Sequence, residues 1–155
     1  MSPFVRLTKE EVGVRRRRLL ISGEPNTRKT TALLTLPKPI AVLSLPGEKG
    51  YDTLPTDDPE IHPFIWRVDE AKRPDSHSVV REVTETAVKL ITGKEGKITS
   101  FAGDGVHKFF EYIIDSVTDG AWFSGEEFQP KLYGVAYRAF EEFLSRIMHS
   151  ATPVV

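Results

Sequence analysis

Residues 23–30 read Gly23-Glu24-Pro25-Asn26-Thr27-Arg28-Lys29-Thr30. The stretch is one residue away from the phosphate-binding pattern G-x-x-x-x-G-K-[ST]. The mismatch is Arg28, where the pattern has its second glycine. Before the stretch, Arg18-Leu19-Leu20-Ile21-Ser22 is a short apolar run that reads as a strand. After it, Thr30-Thr31-Ala32-Leu33-Leu34 opens a helix that must stop before Pro37. Strand, glycine loop, lysine, hydroxyl and helix therefore follow in the order that phosphate binding needs.

The physical basis is specific. Successive backbone N–H groups in such a loop converge on a concave anion site. The helix N-terminus behind it adds roughly half a positive charge toward the phosphates. Lys29 is placed to reach the β- and γ-phosphates of ATP, and Thr30 to offer its hydroxyl to Mg²⁺. Gly23, Glu24, Pro25, Asn26, Thr27, Arg28, Lys29, Thr30 and Thr31 are thus the candidate nucleotide contacts. An ordinary turn into a helix, with Lys29 solvated, is the competing explanation.

The rest of the chain limits the choices. A length of 155 residues fits one domain or part of one. With 21 basic against 22 acidic residues, a generally basic nucleic-acid binder is disfavoured. The local run Arg15-Arg16-Arg17-Arg18 is either a contact for an acidic partner or a solvated lead-in to the first strand. Absence of cysteine rules out disulfides and thiolate metal sites. No apolar stretch has the length of a membrane span, and Met1-Ser2-Pro3-Phe4 does not open a signal peptide. A cytoplasmic protein with no membrane partner is expected.

The order of elements predicts an α/β fold. Pro39-Ile40-Ala41-Val42-Leu43-Ser44-Leu45 is an almost unbroken apolar run, suited to a strand covered on both faces. Residues 46–63 read as a long loop, and Phe64–Val68 as a short strand. Asp75 or Ser76 caps a helix to about Thr92, with an apolar stripe of Val79, Val80, Val83, Ala87, Leu90 and Ile91. A strand over 98–103 leads through Asp104-Gly105 to a second helix, striped by Val106, Phe109, Phe110, Ile113, Ile114 and Val117. A polar, aromatic loop around Trp122 follows. The last helix carries Tyr137, Phe140, Phe143, Leu144, Ile147 and Met148 on one side. Residues 1–17 form a basic lead-in, and 18–155 a core with a mainly parallel sheet and helices on both faces.

Asp104, at the end of its strand, supplies the carboxylate that a nucleotide-bound Mg²⁺ needs. An Asp-Gly turn is the plainer alternative. The order of loop, strand with trailing Glu48 in Pro46-Gly47-Glu48-Lys49-Gly50, and strand ending in Asp104 resembles the RecA-like P-loop ATPases. That resemblance implies that Glu48 polarises the attacking water. The stretches Asp104-Gly105-Val106-His107-Lys108-Phe109-Phe110-Glu111-Tyr112 and Tyr133-Gly134-Val135-Ala136-Tyr137-Arg138 are similar to small RecA-like ATPases of tailed phages. Over roughly residues 18–155 the resemblance implies work on single-stranded DNA in recombination or annealing, in the host cytoplasm. It also implies a homo-oligomer in which an arginine of a neighbouring subunit completes the site; Arg138 and Arg146 are surface candidates.

Two departures from the pattern qualify these expectations. Arg28 is expected to leave the loop folded but to weaken nucleotide binding and hydrolysis. In RecA-like sheets a strand after the last helix inserts between the loop strand and the aspartate strand. Here it would begin near Pro153, so the chain is expected to be a fragment or to be completed by another segment. A non-catalytic P-loop adaptor and a small-molecule kinase remain alternatives. The histidines at 62, 77, 107 and 149 show no ligand spacing.

Overall fold

A computed structural model describes residues 28–46, 54–66 and 72–150, with backbone alone for 148–150. The strand expected over 18–22, the arginine run at 15–18, the loop residues Gly23–Thr27, Glu48 and the strand expected from Pro153 lie outside the described residues.

The central element is β1 (Ile40–Ser44), buried at all five positions. Successive side chains of a strand point to opposite faces, and the two faces meet different partners. Ala41, Leu43 and Leu45 enter a core with Val79, Val83, Ala87, Leu90, Phe109, Ile113, Ile114, Ala136 and Phe143. Ile40 and Val42 meet Leu54, with Leu33, Leu34 and Leu36 packed against them. The continuous apolar run at 39–45 thus marks a strand covered on both sides, as expected.

β2 (Ile61–Ile65) and β3 (Ser100–Asp104) flank β1, both parallel to it, in the order β2-β1-β3. β2 starts three residues before the expected strand at Phe64 and includes Pro63. Pro63 is tolerated because Trp66 N–H donates to the Ser44 carbonyl and Ile40 N–H to the Glu60 carbonyl. By period two, residues 62, 64 and 66 turn their nitrogens toward β1, and the nitrogen of Pro63 faces away.

Short α1 (Lys29–Leu33) leads into the second face of the sheet. The first face carries α2 (Ser76–Ile91), α3 (Val106–Val117) and α5 (Lys131–Ser150). Asp75 caps α2 as expected, its carboxylate accepting from the Ser78 N–H at 2.9 Å. The aromatic stretch near Trp122, expected as loop, contains a further turn of helix, α4 (Ala121–Ser124). The last helix begins at Lys131, and its stripe is only partly core: Phe143 is buried, whereas Tyr137 is 59% exposed and Leu144 38%. Among the described residues no helix is long and apolar enough to cross a membrane.

Candidate functional site

The site forms where α1 meets the carboxyl ends of the parallel strands, the edge at which open α/β sheets take ligands. Its first component is Arg28, with φ 58° and ψ 31°, in the left-handed region. Glycine enters that region freely, whereas another L-residue does so at a cost of roughly 1–2 kcal/mol. Arg28 therefore adopts the backbone that suits the glycine of the pattern. Lys29 and Thr30 follow as the first two residues of α1, with Thr31 exposed behind them.

The second component comes from 74 residues further along. Asp104 is the last residue of β3, and Gly105 turns the chain into α3 at φ 85°. The Thr30 hydroxyl donates to Asp104 Oδ2 at 2.6 Å. The two residues singled out as cation ligands are thus in direct contact. The bond uses the hydroxyl proton and leaves the lone pairs of Thr30 Oγ1 and the second carboxylate oxygen for a further partner.

Sequence reasoning missed a third component, Ser44. It ends β1 opposite Asp104 in register, and by alternation it faces the same side of the sheet as Ile40, Val42 and α1. Ser44 is 1% exposed, and its hydroxyl has no hydrogen-bond partner among the described residues. Buried hydroxyls are normally satisfied. The signal was a lone polar residue inside an apolar run. It is weak by itself, because serine is small enough to sit in a core.

His77 and His107, among the histidines that show no ligand spacing, and the candidate arginines Arg138 and Arg146 stand apart from this cluster. His107 is on the exposed face of α3 and meets Glu111 at 3.6 Å. His77 lies 3.8 Å from Asp119 at the surface. Arg138 and Arg146 are exposed on α5, and Arg138 Nε donates to the Gly134 carbonyl at 3.4 Å. Among the described residues no three His, Asp or Glu side chains gather as a metal cluster. A cation beside Thr30 and Asp104 would draw most of its shell from water and phosphate, which suits Mg²⁺. Compared with known proteins, the chain matches no family model, no curated sequence and no solved structure.

Proposed function

We propose that this chain is a nucleotide-binding P-loop protein of the RecA-like kind, an ATPase acting with single-stranded DNA. The observation that carries the proposal is the 2.6 Å bond between Thr30 and Asp104, residues chosen for one role from separate parts of the sequence. Thr30 and Asp104 would hold Mg²⁺, which when bound neutralises charge on the β- and γ-phosphates. Lys29 and the loop N–H groups bind the phosphates and stabilise charge on the transferred phosphoryl group. Glu48 orients a water for attack on the γ-phosphorus and takes up its proton, while the bond from that phosphorus to the β–γ bridging oxygen breaks.

A second proposal is a non-catalytic adaptor domain, favoured by Arg28 at the glycine position. Calorimetric titration with Mg·ATP, and turnover with and without single-stranded DNA, separate the two. The ATPase reading expects binding that Asp104→Asn weakens at least tenfold, turnover stimulated by DNA, and tighter binding in Arg28→Gly. Absence of binding in both the parent and Arg28→Gly would decide for the adaptor. Equal affinity and turnover in those two proteins would show that Arg28 does not restrain the site.

A further inference from the structure

The Ser44 hydroxyl has three properties that seldom coincide: it is buried, it lacks a partner among the described residues, and it shares a sheet face with Asp104, which accepts from Thr30. Register pairing puts the Cα of Ser44 about one strand spacing, roughly 4.8 Å, from that of Asp104. α1 covers this face, since Leu33 and Leu34 pack against Ile40 and Val42. The orphan therefore sits on the face that α1 covers, at the carboxyl end of the central strand. Among the described residues the other orphaned side chain, the Trp66 indole, packs with the opposite core and does not share this environment.

We propose that Ser44 is a positioning residue of the cation site, holding by its hydroxyl a water in the shell of nucleotide-bound Mg²⁺. This rests on the phosphate-loop reading. Mg²⁺ gives up its waters reluctantly, and those it keeps are strong donors that need acceptors. Asp104 supplies one acceptor from β3, and Ser44 supplies the next from β1. A serine suits this place because its hydroxyl accepts from a metal-bound water and donates to a phosphate or carboxylate oxygen. A hydrated cation would give this buried hydroxyl the partner that the described residues do not supply.

The test exploits that asymmetry. Removing an unsatisfied buried hydroxyl should not weaken the ligand-free fold, whereas it should weaken the response to metal. Thermal unfolding of the full chain is followed for the parent, Ser44→Ala and the near-isosteric Ser44→Cys. Each is measured alone, with ADP in chelator, and with ADP over a Mg²⁺ titration. Ser44→Ala is expected to melt at or above the parent when ligand-free, and to show the same shift with metal-free ADP. Its Mg²⁺ half-saturation should rise about fivefold, the loss of roughly one hydrogen bond, with Ser44→Cys in between. A lower ligand-free melting temperature in Ser44→Ala would make the hydroxyl a structural group and overturn the proposal. So would an unchanged Mg²⁺ titration in a parent that responds to Mg²⁺. A parent that shifts with neither form of ADP would overturn the phosphate-loop reading itself, and this inference with it.

Discussion

At the residue scale, Arg28 and Asp75 show two ways in which one side chain governs a helix start. Arg28 holds a left-handed backbone. The strain of that backbone for a non-glycine residue is roughly 1–2 kcal/mol. A glycine there would relieve the strain but lose about 0.5–1 kcal/mol through unfolded-chain entropy, so the net effect on stability is small. What nucleotide would meet is the bulk and charge of the side chain. Asp75 works through its carboxylate, held below the usual aspartate range by the Ser78 N–H and then by the Ser78 hydroxyl. A depressed folded pKa means that this contribution is present above the unfolded value, about 3.9, and lost as pH falls through the folded value. Melting temperatures measured from pH 6 to pH 3 should fall in the parent. Asp75→Asn, which keeps a capping oxygen, should show a shallower fall.

At the element scale, the helical layer is pinned by one buried carboxylate. Asp115, 6% exposed near the end of α3, accepts from the Ser76 hydroxyl in the first turn of α2 and from the Phe123 N–H in α4 at 2.9 Å. Three helices thus share one acceptor group. Arg73 reinforces the corner, its guanidinium 4.4 Å from the Phe123 ring centre. Asp115→Ala would leave a buried hydroxyl and a backbone N–H without acceptors, at a cost of about 2–4 kcal/mol. Asp115→Asn retains one acceptor oxygen and should cost less. Urea unfolding of both variants measures the difference. Most of these elements were legible in the sequence, because helical stripes and the Asp75 cap are local signals. α4 and the bounds of β2 were not. Pro63 looks like a breaker until its nitrogen is known to face away from β1, and that depends on pairing with a distant strand.

At the scale of the whole molecule, the three-helix layer meets the sheet at Phe109. This ring is fully buried and lies 4.7 Å from that of Phe143, so α3 is joined there to α5 beneath β1. Phe109→Ala should cost about 3–5 kcal/mol by loss of burial and creation of a cavity. That is a large share of the roughly 5–15 kcal/mol stability usual for a domain, and a lower denaturant midpoint would report it. The candidate site was legible to a different depth. Thr30 and Asp104 could be chosen because motif and strand-end position carry their meaning locally. Ser44 could not, since what singles it out is the register between β1 and β3 and the lack of a partner among the described residues.

The position of β1 has one more consequence. Its backbone bonds to neighbours along both edges, and its side chains are covered above and below. It cannot leave the structure before β2 or β3 has left it. Among the described strands, opening of β1 therefore waits on the loss of its pairing with one neighbour, so Ser44 keeps its place until β2 or β3 has gone. In partial unfolding β1 would not be the first of these three strands to open.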